Sequence, residues 1–132
     1  MSTLLAFDVG LKRTGVAVGS TLADTASTLK TLNMRHGRTD VDEIAALITE
    51  WQPETIVIGS THNSSGELNK ARNHLRHYCQ QQKRKVVMID ETLSTETANQ
   101  LLSERQVSLQ RKQELRDQVA AQLILQTYLH SL

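Results

Sequence analysis

The sequence predicts an α/β fold: a mixed five-stranded sheet that opens with antiparallel hairpins, continues in parallel strands and carries helices on both faces. Three observations carry that expectation. Two short apolar runs, residues 4–7 (LLAF) and 15–18 (GVAV), flank the segment GLKRTG, whose end glycines mark a hairpin turn. Two later runs, TIVI at 55–58 and VVMI at 86–89, show no polar alternation, the pattern of strands buried on both faces. Segments with helical spacing separate and follow them, so the parallel strands are joined by right-handed helical crossovers.

Each element follows in order. A third strand is expected over 28–32, after a loop through 23–27. Asp40 then caps a helix, with Glu43 three residues on as the reciprocal partner of a capping box. Ile44, Leu47 and Ile48 recur at helical spacing up to Trp51, and Pro53 enforces the stop. The strand at 55–58 ends on Gly59, and a polar loop over 60–66 leads into a helix from about 67 to 82. The strand at 86–89 ends on Asp90 and Glu91. Ser94 or Thr95 can cap a helix through Leu101 and Leu102, residues 105–110 are polar, and a last helix runs over about 112–129.

A chain of 132 residues is expected to form one domain spanning 1–132, with one real core. Apolar residues at 39% and charged residues at 22% exclude a disordered chain, and aromatics at 3% leave the core to aliphatic side chains. Cys79 is alone, which excludes an intrachain disulfide and a cysteine-based zinc site. The opening MSTLLAFDVG lacks the pattern of a signal peptide, and no apolar run approaches the ~20 residues of a membrane span, so a cytoplasmic protein without membrane contact is expected. The net charge of +1 points to no partner. Local charge does: residues 70–85 (KARNHLRHYCQQQKRK) hold six Lys/Arg, two His and no acid. Such a run is either a solvated helix face or a phosphate-contacting one, with Lys70, Arg72 and Arg76 as the candidate contacts.

Three acidic positions fall where acids are structurally awkward. Asp8 closes the first strand, and Asp90 and Glu91 close another; ligands of open α/β sheets sit at that carboxyl edge. Asp117 shares a helical stripe with Ala121, Ile124 and Tyr128, so it needs a compensating partner. Each has a structural alternative: a turn cap for Asp8, loop solvation for Asp90 and Glu91, and for Asp117 a helix-dipole role or an ion pair with Arg116 or Arg13. Gathered at one edge, the carboxylates would raise one another's pKa unless a cation lay among them. Oxygen donors without Cys or a His cluster suit Mg²⁺ or Mn²⁺, and a pair of such ions serves in-line displacement at a phosphodiester. No phosphate-loop glycine pattern, HExxH or catalytic-triad spacing competes.

These residues also carry a resemblance. FDVGLKRTGVAVG, WQPETIVIG, DETLSTETA and DQVAAQLILQTYL resemble, in order and across nearly the whole chain, the four motifs of the YqgF (RuvX) family. The resemblance implies a ribonuclease H-like fold and a metal-dependent nuclease that trims the 5′ end of precursor 16S rRNA, with resolution of Holliday junctions as the alternative. It places Asp8, Glu91 and Asp117 on the family's catalytic, metal-binding acids. Lys12 and Arg13 match its basic turn, beside the metals, and Asn63 and Gly66 match its loop after the fourth strand. The chain departs from the family at Ser60-Thr61, where GLP is usual, at Ser64-Ser65 within NMDG, at Thr92 in place of an arginine, and at Arg116 in place of an apolar residue.

The expected partner is therefore nucleic acid, structured RNA first and branched DNA second, with the ribosomal small-subunit precursor as the RNA source. RNA trimming fits a monomer or weak dimer, whereas a symmetric junction favours a two-fold dimer. A binding module that keeps the fold without cutting would hold nucleic acid in chelator. The actin-like ATPases share the opening D-x-G hairpin, but their two-domain closure needs a longer chain.

Overall fold

A computed structural model of the chain describes residues 2–60, 66–90 and 109–132. It contains strands β1 (Thr3–Val9), β2 (Arg13–Ser20), β3 (Thr25–Arg35) and β4 (Arg38–Thr39), then helix α1 (Val41–Trp51), β5 (Thr55–Ser60), α2 (Gly66–Gln81), β6 (Lys85–Asp90) and α3 (Leu109–His130). The strands form one mixed sheet in the order β4-β3-β2-β1-β5-β6. β1 pairs antiparallel with β2 and parallel with β5, and β5 pairs parallel with β6. The expected architecture of hairpins followed by parallel strands is present. The sheet has six strands instead of five. The extra one, β4, is two residues long, too short to leave a periodic signal.

Alternation along β1 splits the core in two. Leu5, Phe7 and Val9 point to the face covered by α1 and α2, where they meet Ile44, Leu47, Ile48, Leu75 and Cys79. Leu4 and Ala6 point to the other face, against Ala121, Ile124, Leu125 and Tyr128 of α3. Each of the larger side chains among these contributes roughly 1.5–3 kcal/mol by leaving water. Burial pushes the Cys79 thiol up to about 12, so it packs as a small apolar group.

Two local expectations need correction. The third strand covers Thr25–Arg35, well beyond 28–32. The capping box is only half made. Asp40 accepts from the Asp42 N–H at 2.9 Å, as an N-cap should. Glu43 instead turns to the neighbouring strand and accepts from the Asn33 N–H at 3.2 Å. The α1 stop is as expected: Gln52 takes the left-handed conformation, and Pro53 follows.

Candidate active site

β1 carries Asp8 to the carboxyl edge of the sheet, and its two cross-strand neighbours are both glycine: Gly15 on β2 and Gly59 on β5. Directly paired residues share a face, so a bare strip flanks Asp8 on the side where α3 packs. The helix uses that space. A Cβ at Gly15 would overlap the Asp117 backbone carbonyl, and one at Gly59 would overlap the Ile124 side chain. The close approach delivers Asp117 to the edge where Asp8 ends.

Polar bonds fix the register of α3 on the sheet. Gln118 donates to the Thr31 hydroxyl at 3.1 Å, and Gln122 donates to the Ala26 carbonyl at 2.8 Å. Gln126, one turn further, donates to the Asp24 carbonyl at 3.3 Å, and Thr31 donates to the Glu114 carbonyl at 3.0 Å. Glutamines spaced by four therefore tie one helix face to β3 and its leading turn. Sequence reading missed this role; the Gln-x-x-x-Gln spacing is the signal for it.

The electrostatics match two carboxylates brought together. The Asp8 carboxyl is raised from 3.8 to about 6, first by burial and then by the Asp117 charge, with the Arg72 charge opposing. Arg13 lies on Asp117, its Nε donating to Oδ2 at 2.6 Å, with only 27% and 19% of the two side chains exposed. Arg72 is 3% exposed, and burial lowers its pKa while Asp8 raises it. It is thus an interior charge facing Asp8 electrostatically, although the basic run suggested a substrate contact. Lys12 and Lys70 are exposed, and Arg76 is half-buried.

Asn63, Glu91, Thr92 and the helix expected after Ser94 or Thr95 lie outside the described residues, and of Asp90 only the backbone is described. The donor set nonetheless fits a hard divalent cation: two carboxylates at one edge, one of them held above its ordinary value by burial first and by the other's charge second. Among the described residues no three His, Cys, Asp or Glu side chains gather into a metal site, so a third ligand would come from elsewhere, as Glu91 would. Arg13→Gln removes the positive partner of Asp117. In chelator it is expected to destabilise the protein by about 1–2 kcal/mol, as loss of a part-buried ion pair does. The thermal shift on adding Mg²⁺ should then exceed that of the parent protein, because the cation no longer competes with the guanidinium; an equal shift would contradict this.

Comparison with known proteins bears on the family and the fold. The family model described as "RuvX: Holliday junction resolvase" matches residues 2–131. A Thiobacillus denitrificans protein named "Putative pre-16S rRNA nuclease" is 38% identical over 130 residues, covering 96% of this chain and 90% of that protein. A Clostridium acetobutylicum protein of the same name is 33% identical over 133 residues, covering 98% of each. Among solved structures, T. thermophilus RuvC in complex with Holliday junction substrate superposes with a TM-score of 0.61 at 11% identity, covering 99% of this chain and 95% of that one. The Fowlpox virus resolvase bound to Holliday junction DNA gives 0.64 at 15% identity, covering 98% and 97%. Those two likenesses confirm the ribonuclease H-like, resolvase-type fold. With four ordered motifs, a full-length family match and relatives above 30% identity, the chain belongs to the RuvX family.

Proposed function

We propose that this protein is a metal-dependent nuclease that hydrolyses phosphodiester bonds in the 5′-end maturation of precursor 16S rRNA. The observation that carries the proposal is the convergence of Asp8 and Asp117 at the carboxyl edge of β1, with Arg13 beside them. Asp8, Asp117 and Glu91 would hold Mg²⁺ or Mn²⁺, which supplies an activated water and neutralises charge on the leaving oxygen. Arg13, a fork of donors already at the edge, and the exposed Lys12 would bind the phosphate. The buried positive charge of Arg72 acts on Asp8 and so favours its ionised form, the one that would bind a metal. Asn63 and Arg76 would contact substrate further out, and Lys70 would hold flanking backbone. No helix among the described residues is long and apolar enough to cross a membrane, and we propose a cytoplasmic location.

The relatives' names favour RNA, while the family description favours a four-way DNA junction. The test is cleavage of end-labelled precursor rRNA and of a synthetic junction in Mg²⁺, Mn²⁺ and chelator, with folded Glu91→Gln alongside. Metal-dependent cutting of the rRNA that Glu91→Gln loses is the expected result. Preferential cutting of the junction would move the protein to branched DNA. Binding that survives chelator without cutting in either metal would reduce it to a nucleic-acid-binding module.

A further inference from the structure

A second feature lies outside the carboxylate edge. β3 and β4 are joined by His36 and Gly37, both at positive φ, between the paired Arg35 and Arg38. This is a tight two-residue hairpin, whose backbone twist suits the flanking strands. It is anchored at its base: buried Thr39 shares a 3.0 Å hydrogen bond with buried Thr14, and the Thr14 hydroxyl also reaches the Met34 sulfur at 3.2 Å. Thr14 follows Arg13 directly, so the hairpin is pinned to the strand that starts at the catalytic turn.

Between this hairpin and α2 runs a cleft of about 630 Å³. Leu11, in the loop that carries Lys12, stands among its lining residues, as do His36, Arg38, Lys70 and His74. A second hollow continues along the hairpin past His36, Arg38 and His74 to Arg35. Arg38 and Lys70 are exposed and have no ion pair among the described residues, whereas Arg35 is 3.5 Å from Asp40. The Nδ1 of His74 is buried without a hydrogen-bond partner among the described residues, a group that a ligand oxygen or a water would satisfy. Among the described residues, Glu67 is the one acid lining the main cleft.

Resting on the nuclease reading above, we propose that this cleft binds the phosphate backbone of the single-stranded RNA flanking the scissile bond, with Arg38 and Lys70 as its phosphate contacts. Cations on two separate elements, set across a groove that begins at the loop bearing Lys12, match a polyanion better than a compact ligand. Glu67 sets a limit on the cleft's charge, so Glu67→Gln should tighten binding.

The test measures binding in chelator, where cleavage does not enter, so it is independent of whether the protein cuts. A fluorescent 20-nucleotide single-stranded RNA is titrated with the full chain and with the double variant Arg38→Gln/Lys70→Gln, at several salt concentrations. Both positions are exposed, so the fold should survive, and circular dichroism checks it. The variant should bind on the order of tenfold more weakly, with a log–log salt slope shallower by about 1.4, two contacts at ~0.7 each. Undiminished binding by the folded variant, an unchanged slope, no RNA binding by the parent chain, or a preference for DNA of the same sequence would each overturn the proposal.

Discussion

Asp8→Asn is expected to abolish metal-dependent cleavage and, at the same time, to stabilise the metal-free protein at pH 7. The activity loss should reach at least about 10³-fold, or ~4 kcal/mol of transition-state stabilisation, because in the proposed site a neutral amide would replace a charged metal ligand. The stability gain follows from the raised carboxyl. Burial, then Asp117, lifts Asp8 from 3.8 to about 6, despite the opposing charge of Arg72. Between those values the folded chain binds this proton more tightly than the unfolded chain does. The contribution of Asp8 to stability is therefore complete below about pH 4, falls as pH rises towards 6, and stays low above it. The full difference corresponds to about 3 kcal/mol; partial exposure of the side chain reduces the expected gain to roughly 1–2 kcal/mol. For a chain of this size that raises Tm by about 3–6 °C. Calorimetry in chelator should show the advantage at pH 7 and lose it at pH 4, where the parent carboxyl is already neutral. Saturating Mg²⁺ should narrow the advantage at pH 7, because only the parent site binds the ion well. An Asn variant with the same advantage at both pH values would contradict the burial argument.

The parts of this fold that could be read in advance are those in which burial acts on contiguous residues. β1 and β5 announce themselves because a strand covered on both faces must be apolar throughout. β6 is as apolar in sequence, but it is an edge strand with Val86, Val87 and Ile89 half-buried and Met88 exposed, so the expectation of burial on both faces is corrected there. β3 does not announce itself: only Ala26 and Leu32 along it are fully buried, so its polar outer positions look like loop. β4 exists through pairing alone. The same contrast holds at the site. Asp8 and Asp117 stood out as acids in apolar settings. Arg72 obeys the same rule, with Leu75 and Cys79 three and seven residues on and Ala71 before it, all buried. The surrounding basic run masked that pattern, and a solvent-facing contact was expected where an interior charge is found. Gly15 and Gly59 lie in quoted motifs, yet their joint meaning depends on both pairing with Asp8, which no local pattern contains.

Gly15→Ala tests that joint meaning most directly. Gly15 does not occupy the left-handed region; among the described glycines only Gly37 does. By backbone conformation alone, alanine in a strand should be neutral or mildly favourable, since it restricts the unfolded chain. The obstacle is steric: the added Cβ would overlap the backbone carbonyl of Asp117, which has no rotamer to escape into. α3 must lift or slide, against the Gln118 and Gln122 bonds that hold its register. A loss of about 3 kcal/mol is expected, at the upper end for overpacking a tight contact. At temperatures where the variant stays folded, cleavage should fall beyond what the unfolded fraction explains, because the displaced turn carries Asp117. Gly59→Ala is the internal control. Its Cβ meets the tip of Ile124, a side chain able to rotate, so about 1 kcal/mol and near-normal turnover are expected. If both variants lose equally in stability and activity, the close approach at Gly15 does not position Asp117. If only Gly15→Ala loses turnover, the bare strip beside Asp8 is what allows two carboxylates, carried on a strand and a helix far apart in sequence, to meet at one edge.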